Sequence, residues 1–228
     1  MAQHAVIFDV DGTLVDSNDA HAAAWVDALH DFDIDRLRAD VRPLIGMGGD
    51  KLLPALTGID AKSERGRQIA ARRGERFRDA YLDKLRAFPG TRALFERLAD
   101  DGIRLAIASS AQKAELEQLL RIAGVLDLVE RETSGDDVRS SKPDPDVVHA
   151  SLERLGVTPE VAIMVGDTPF DVEAASHAGV NAIAFRCGRG WRDGDFDGAL
   201  AIYDGPSAML RGYEVHGWSW TRRVPTRS

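Results

Sequence analysis

Apolar residues form short continuous runs along much of this chain, and stretches with helical spacing separate these runs. Such runs are too short for buried helices and are typical of strands buried on both faces of a parallel sheet. The expected strands are Ala5–Phe8, Ile103–Ala108, Leu126–Val129, Val161–Val165 and Asn181–Phe185, with a weaker strand and helix pattern between residues 202 and 210.

Helical periodicity fills the intervals between these runs from residue 88 onward. The expected helices are Thr91–Asp100, Lys113–Ile122, Pro145–Leu155 and Phe170–Ala178. Strands that alternate with helices of about ten residues predict an α/β fold with a doubly wound, Rossmann-like parallel sheet. In such sheets ligands bind at the carboxyl ends of the strands.

Residues 16 to 86 have a different pattern, because nothing in them resembles a strand. Ala22, Trp25 and Leu29 recur at helical spacing, and Ser17 is the expected N-cap of their helix. Shorter helices are expected over 35–44 and 50–56, and a long charged helix lies within 61–85.

The long charged helix carries one apolar stripe, formed by Ile69, Phe77, Tyr81 and Leu85. The arginines around this stripe are most simply a solvated face. They are Arg65, Arg67, Arg72, Arg73, Arg76 and Arg78.

These patterns predict an α/β core domain, residues 1–15 and 87–212, with an inserted helical cap domain, residues 16–86. Residues 213–228 carry two Trp and three Arg without periodicity. We assign them to a C-terminal tail, whose role the sequence leaves open.

Composition narrows the possible partners and location. The 228 residues, 44% of them hydrophobic, suffice for one large domain or two small ones. The net charge of −8 without a basic stripe argues against a nucleic-acid partner. No apolar stretch approaches the roughly 20 residues of a membrane span, and no signal pattern opens the chain. We therefore expect a cytoplasmic protein without a membrane partner, as a monomer or a homodimer.

The single cysteine, Cys187, excludes an intramolecular disulfide. It has no evident histidine partner in the sequence, so a catalytic thiol is not expected.

Polar residues cluster where the expected strands end. Asp9 and Asp11 follow the first strand, and on their own they also fit an ordinary Asp-Gly turn. The other clusters are Ser109 with Ser110, Lys142 in a Ser-Ser-Lys-Pro segment, and Asp167 with Asp171.

These groups together have the chemistry of a phosphate site. Several carboxylates suit Mg²⁺, which binds through a few carboxylates and the substrate phosphate. The lack of a Cys or His cluster disfavours zinc. A serine at a strand end and a lysine can hold phosphate oxygens. A pair of aspartates can supply a nucleophile and an acid.

The motif order D-x-D-G-T, S, K-P and G-D-x-x-x-D resembles the haloacid dehalogenase-like hydrolase superfamily. It resembles most the members with a helical cap after the first motif, such as phosphoglycolate phosphatases and β-phosphoglucomutase. The resemblance covers roughly residues 4 to 190. It implies that Asp9 is the nucleophile that forms an aspartyl-phosphate. It also implies that Asp11 is the general acid and then the base that activates water.

The resemblance further implies the ligands of the metal and of the phosphate. Mg²⁺ would be held by the Asp9 carboxylate, the Asp11 backbone carbonyl and Asp167. The phosphoryl oxygens would be held by Ser109, Ser110 and Lys142. Asp171 would orient Lys142 or a water on the metal, and Thr13 would contact the ligand residues without touching the metal or the phosphate itself.

A phosphoglucomutase-type transfer within a sugar phosphate is the nearest alternative. The segment from Ser17 to Trp25 resembles the start of the mutase cap and includes His21. His21 either lies near Asp11 and controls its protons or simply faces solvent or core. Ile45 and Gly49 stand where the mutase cap carries basic residues, which favours hydrolysis.

Two further alternatives have less support. A haloacid dehalogenase lacks an acid two residues after the nucleophile, so Asp11 argues against that chemistry. A catalytically silent phosphate- or metal-binding scaffold would lack a nucleophile, acid or metal ligand, and none is missing here.

Three glycines in the cap, Gly46, Gly48 and Gly49, are the expected specificity loop. Their free N–H groups could accept an anion, although a plain turn is equally consistent with them. The sequence thus predicts a Mg²⁺-dependent phosphatase that hydrolyses a small phosphorylated metabolite, resembles phosphoglycolate phosphatase and has an open natural substrate.

Overall fold

The computed structural model describes residues 4–216, in which six strands form one parallel sheet. The order of the strands is β3-β2-β1-β4-β5-β6, so β1 lies near the centre. Phe8 at the end of β1 is in register with Ile107 of β2 and Val165 of β4, which brings three strand ends together. The strands are β1 Ala5–Phe8, β2 Arg104–Ala108, β3 Arg131–Thr133, β4 Ala162–Gly166, β5 Asn181–Phe185 and β6 Ala201–Tyr203.

Helices cover both faces of this sheet. Side chains of β1 alternate between two apolar clusters: Val6 and Phe8 pack with α5, α6 and α9, and Ala5 and Ile7 pack with α7 and α8. Burying a Val, Ile or Phe side chain contributes about 1.5–3 kcal/mol, so β1 is anchored on both faces. The predicted α/β doubly wound fold is confirmed. The helices on the sheet are α5 Thr91–Asp100, α6 Lys113–Ala123, α7 Asp146–Leu155, α8 Pro169–His177 and α9 Pro206–His216.

The predicted strand at Leu126–Val129 is wrong, because the third strand is Arg131–Thr133. Leu126, Leu128 and Val129 lie in the turn after α6 and pack against the core as partly buried side chains. Their apolar character therefore reflects packing of a turn. Pairing with β2 begins only where the Glu130 N–H donates to the Leu105 carbonyl oxygen, at 2.9 Å.

Residues 18–84 contain four α-helices, two short 3-10 helices and no strand. They bury an apolar cluster of their own that includes Trp25, Leu29 and Ile69. The chain enters and leaves this segment side by side, since Val15 and Ala87 pair and the Asp16 N–H donates to the Arg86 carbonyl at 3.0 Å. The division into core and cap domains stays a prediction. The helices are α1 Asn18–His30, α2 Arg38–Val41, α3 Gly49–Thr57 and α4 Glu64–Ala80.

The last helix differs from the predicted boundary of the tail. Helix α9 runs to His216, so residues 213–216 of the predicted tail are helical. Tyr213 is 9% exposed, and its hydroxyl donates to Asp101 at 2.6 Å. The rest of the predicted tail, 217–228, lies outside the described residues. Within 4–216, the structure has no helix that is long and apolar enough to span a membrane.

Candidate active site

The site begins where the chain leaves β1. The Asp9 N–H donates to the Val165 carbonyl at 2.8 Å, which extends the sheet pairing by one residue and aims Asp9 out of the strand end. Gly12 then adopts a φ of +78°. A Cβ there would lie 2.2 Å from Asp167 Oδ2, so only glycine fits this turn.

Lys142 is the positive group of the site and is 1% exposed. Its Nζ donates to Asp9 Oδ1 and, at 2.7 Å, to Asp171 Oδ1. The other Asp171 oxygen accepts from the Thr168 N–H and hydroxyl at the start of α8, at 3.0 and 2.7 Å. With both oxygens engaged, Asp171 holds Lys142 against Asp9. This is the position expected for it from the sequence, while its role stays a prediction.

Asp167 lies beside Asp9, with the Thr13 hydroxyl between the two carboxylates. Thr13 Oγ1 is 3.1 Å from Asp9 Oδ2 and 3.0 Å from Asp167 Oδ1. The second Asp167 oxygen accepts from the Asn18 side-chain amide at 2.7 Å. Sequence reasoning missed Asn18, and its place in the first turn of α1, next to the first motif, was the available signal.

The acidic groups outnumber the ammonium that faces them. One carboxylate oxygen from each of Asp9, Asp167 and Asp171 lies within 4.8 Å of the other two, and Lys142 is paired with Asp9 and Asp171. Burial raises the pKa of Asp9 to about 7, with Lys142 opposing this and Asp171 and Asp11 adding to it. Burial, Asp9 and Asp171 also hold the pKa of Asp167 well above its usual range. Buried oxygen donors with excess negative charge fit a hard divalent cation such as Mg²⁺.

Lys142 stays charged in this setting. Burial lowers its pKa, but Asp171 and Asp9 outweigh burial and raise the pKa above the usual value. A permanent ammonium therefore stands against Asp9, where it can offset the charge of an approaching phosphate.

The Asp11 side chain points away from this cluster toward α1. Its Oδ1 accepts from the Ser17 hydroxyl at 2.5 Å and lies 2.6 Å from His21 Nε2. Ser17 is thus not the expected side-chain cap of α1, because its hydroxyl is used by Asp11. Burial raises the pKa of Asp11, but contacts with His21, Ser17 and Arg73 outweigh it and lower the pKa to about 2.

A cavity of about 330 Å³ opens over Asp9 and Asp11. His21 lines it and is 3% exposed, so of the two placements considered for it the one beside Asp11 is found. The glycine loop, residues 46–49, forms another wall.

The glycines of this wall serve close packing against neighbouring side chains. A Cβ at Gly46 would lie 2.7 Å from Thr168, and one at Gly48 would lie 2.5 Å from Ser141. The Gly48 N–H donates to Ser141 Oγ at 3.0 Å, so it is not free to bind an anion. A Cβ at Gly49 would meet Trp25 at 3.2 Å.

The two serines after β2 have different surroundings. Ser109 is fully buried, and its Oγ accepts from the Ala111 N–H at 3.0 Å. Ser110 lines the cavity, and its buried Oγ has no hydrogen-bond partner among the described residues. Of the two hydroxyls, that of Ser110 is therefore the one available to a ligand.

Arg73 is an exception to the solvated arginine face. Arg72 and Arg76 pair with Asp31 at the surface, as expected. Arg73 is half-buried, lines the cavity and pairs with the buried Glu115 of α6 at 2.8 Å. Sequence reasoning missed both residues of this pair. The signal was the spacing, because position 73 lies four residues from both Ile69 and Phe77 and so on the apolar stripe.

Cys187 contacts the same turn, since its Sγ donates to the Gly12 carbonyl at 3.3 Å. Burial, followed by the charge of Asp167, raises the pKa of this thiol above its usual value. It is therefore a poor nucleophile, in line with the sequence-based expectation.

The protein has a parallel α/β sheet with a buried acidic cluster at the carboxyl ends of its strands. Proteins with such sheets bind their ligands at this edge. Residues 6–185 match the family of haloacid dehalogenase-like hydrolases. The chain belongs to this family, and it is a hydrolase.

Individual relatives agree with this assignment. A phosphoglycolate phosphatase of Rhodospirillum rubrum is 34% identical over 88% of this chain and 86% of its own length. A pyrophosphatase, PpaX, of Bacillus velezensis is 30% identical over 77% of this chain and 79% of its own. The crystal structure of a hydrolase from Pseudomonas syringae superposes with a TM-score of 0.87 at 26% identity and covers 95% of this chain and 100% of its own. These relatives support phosphatase activity for the chain.

Proposed function

We propose that the protein is a Mg²⁺-dependent phosphatase that hydrolyses a small phosphate monoester through an aspartyl-phosphate, as a phosphoglycolate-phosphatase-like enzyme. The observation that carries the proposal is the Asp9 carboxylate at the floor of the cavity, paired with the buried Lys142 and adjacent to Asp167. An anionic nucleophile approaches an anionic phosphate only where positive charge offsets the repulsion.

In the first step, an Asp9 oxygen attacks phosphorus and the bond from phosphorus to the leaving oxygen breaks. Asp11 lines the same cavity and donates a proton to that oxygen, so an alcohol departs. Its pKa of about 2 favours the ionised form before substrate binds. A phosphate dianion beside it would raise that pKa and promote proton uptake.

In the second step, Asp11 takes a proton from a water that attacks phosphorus. The bond from Asp9 to phosphorus then breaks and inorganic phosphate leaves. Ser110 and Lys142 would hold the phosphoryl oxygens, and Ser109 would support them through the backbone of its turn. Mg²⁺ held by the Asp9 and Asp167 carboxylates and the Asp11 backbone carbonyl would neutralise charge on the transferring group.

The segment 16–86 would act as a cap that closes over Asp9. The paired connections at Val15 and Ala87 support this, because both ends of the segment meet at one point of the core. Closure would exclude bulk water during transfer, and the small cavity would restrict the substrate to a small phosphorylated metabolite.

The direct test is hydrolysis of p-nitrophenyl phosphate with Mg²⁺. We expect Asp9→Asn or EDTA to abolish hydrolysis, and the exposed Asp79→Asn to leave it unchanged. Activity that survives either Asp9→Asn or EDTA would contradict the mechanism. A chain that binds phosphate or Mg²⁺ without any turnover would instead be the silent scaffold.

Two basic side chains close in sequence to Ile45 and Gly49 are engaged elsewhere, which weighs against the mutase alternative. Arg42 donates to the Gly188 and Arg189 carbonyl oxygens, and Lys51 pairs with Asp144 at 2.7 Å. Ile45 and Gly49 line the cavity instead. Incubation with β-glucose 1-phosphate and a trace of the bisphosphate distinguishes a phosphatase from a mutase. Glucose 6-phosphate without free phosphate would establish the mutase.

A further inference from the structure

Four charged or ionisable side chains form a continuous line from helix α6 to the Asp11 carboxylate, and we name them the Glu115 network. Both Glu115 oxygens accept from Arg73 Nη1, at 2.8 and 3.1 Å. Arg73 Nη2 contacts His21 Nδ1, and His21 Nε2 lies 2.6 Å from Asp11 Oδ1. The residues come from α6, α4, α1 and the turn after β1, so their alignment depends on how these elements pack.

The direction of each hydrogen bond follows from the chemistry of arginine. A guanidinium only donates, so His21 Nδ1 must accept from Arg73. The ring proton of the neutral imidazole then lies on Nε2 and is donated to Asp11 Oδ1. Arg73 thereby selects one tautomer of His21.

This tautomer determines which Asp11 oxygen can exchange a proton with a substrate. The Ser17 hydroxyl also donates to Oδ1, so two donors occupy that oxygen. Within residues 4–216 no hydrogen bond reaches Oδ2. The second oxygen is therefore the one left to carry a proton to or from a reacting group in the cavity.

Packing fixes the middle of the network. The His21 ring stacks on Phe77 with 4.1 Å between ring centroids and 6° between planes. The Arg73 guanidinium lies 5.2 Å from the centroid of the same phenylalanine and 5.9 Å from that of Trp25. Arg73 Nε is buried without a hydrogen-bond partner in the described part of the chain. Glu115 therefore supplies the carboxylate hydrogen bonds that orient the guanidinium between these rings.

Glu115 is 4% exposed, and its partner in the structure is Arg73. Burying an unpaired carboxylate costs free energy, and the ion pair with Arg73 offsets this cost for Glu115. It touches neither Asp9 nor Lys142, whose hydrogen bonds involve other groups.

We propose that Glu115 and Arg73 are positioning residues for proton transfer by Asp11. Glu115 orients Arg73, Arg73 sets the tautomer and ring orientation of His21, and His21 holds Asp11 with Oδ2 toward the substrate. The inference rests on the proposed phosphatase function, in which Asp11 protonates the leaving oxygen.

The test compares an alkyl with an aryl phosphate ester. An alkoxide leaves only with a proton, whereas p-nitrophenolate is stable without one, so a fault in proton donation affects the alkyl ester more. The measured quantity is kcat/KM for glycerol 2-phosphate and for p-nitrophenyl phosphate, which reports on the steps up to departure of the alcohol.

The variants are Glu115→Gln, Arg73→Gln and the double variant, which removes both charges together and leaves no unpaired ion. We expect the ratio of alkyl to aryl kcat/KM to fall about tenfold or more in each, because general acid catalysis contributes on the order of 10²–10⁴-fold. We also expect this ratio to fall no further in the double variant than in the more affected single variant, since the two residues act in series.

Matched controls come from the same helices. Arg72→Gln on α4 and Glu117→Gln on α6 each remove one residue of a surface ion pair, with Asp31 and Arg121 respectively. Both should keep the wild-type ratio. Thermal unfolding of all variants reports any loss of fold separately from the ratio.

An unchanged ratio in Glu115→Gln and Arg73→Gln would overturn the inference, even if both rates fall equally, because a merely structural role lowers both. Failure of the proposed function looks different. In that case wild-type hydrolysis of both esters would be absent or would survive Asp9→Asn.

Discussion

Gly12 offers the sharpest test of how the turn after β1 builds the site. The change is Gly12→Ala, which adds one methyl group to a residue at φ +78°. That methyl carbon would lie 2.1 Å from Asn18 Nδ2 and 2.2 Å from Asp167 Oδ2. Gly58→Ala is the matched control, because Gly58 has a φ of +73° but nothing within 4 Å of an added Cβ.

The expected losses of folding stability differ between Gly12→Ala and Gly58→Ala. A left-handed backbone costs a non-glycine residue about 1–2 kcal/mol, partly offset by about 0.4–1 kcal/mol from a less flexible unfolded chain. Gly58→Ala should therefore cost about 1 kcal/mol. Gly12→Ala also displaces Asn18 from Asp167, and losing a hydrogen bond to a charged group costs about 1.5–3 kcal/mol more. We therefore expect Gly12→Ala to cost about 2.5–4 kcal/mol in total.

Thermal unfolding and hydrolysis of p-nitrophenyl phosphate measure the two consequences. For a chain of this size, 1 kcal/mol lowers Tm by about 2–4 °C, so Gly12→Ala should lower it by roughly 10 °C and Gly58→Ala by roughly 3 °C. Gly12→Ala should also lose most activity below its Tm, and Gly58→Ala should keep it. Equal effects of the two variants on Tm, or an active Gly12→Ala, would refute the argument.

Three further outcomes follow from the structure. Mg²⁺ should raise Tm, because it binds to the buried carboxylates that are in excess in the folded protein. Asp167→Asn should abolish this rise without lowering the Tm of the metal-free protein. A lower Tm of the metal-free variant would contradict the excess of buried negative charge. Arg154, followed by the Ser134 N–H and hydroxyl, lowers the pKa of Asp137, so this group stabilises the fold above the unfolded pKa of about 3.9 and loses that contribution as the pH falls further. Asp137→Asn should therefore be less stable than wild type by about 1 kcal/mol at pH 7, with a gap in urea titrations that narrows as the pH falls below about 3.9. A gap that does not depend on pH would show that the charge is not responsible. Phe95→Ala, which removes a fully buried ring 4.5 Å from that of Phe8, should cost about 3–5 kcal/mol in the same titrations, and a loss under 1 kcal/mol would mean that the surrounding core collapses into the cavity.

The sequence predicts the sheet and the polar groups at its edge because both depend on local patterns. A continuous apolar run such as Ala5–Phe8 has to be buried on both faces, and parallel strands place their carboxyl ends at one edge. Lys142 lies in the loop between β3 and α7, whereas Asp9 and Asp167 directly follow apolar strands. Their convergence therefore follows from the order of the elements together with the general topology of doubly wound sheets.

Local patterns were misleading where packing decides the outcome. The apolar residues of 126–129 favour a strand on composition, yet they fill a turn that packs on the core. Ser17 has the right type and place for a helix cap, but the strong acceptor Asp11 lies within reach of its hydroxyl. In both cases a neighbour distant in sequence, or across a turn, offers more favourable contacts than the local structure does.

The pairing of Arg73 with Glu115 was decided by tertiary structure alone. In the sequence, Arg73 is one of six similar arginines, and Glu115 is one charged residue on an amphipathic helix. Packing of α4 on α1 buries Arg73 beside His21, and α6 supplies the carboxylate that balances its charge. A buried charge needs a partner, and which partner it meets depends on distances between elements that no sequence spacing encodes.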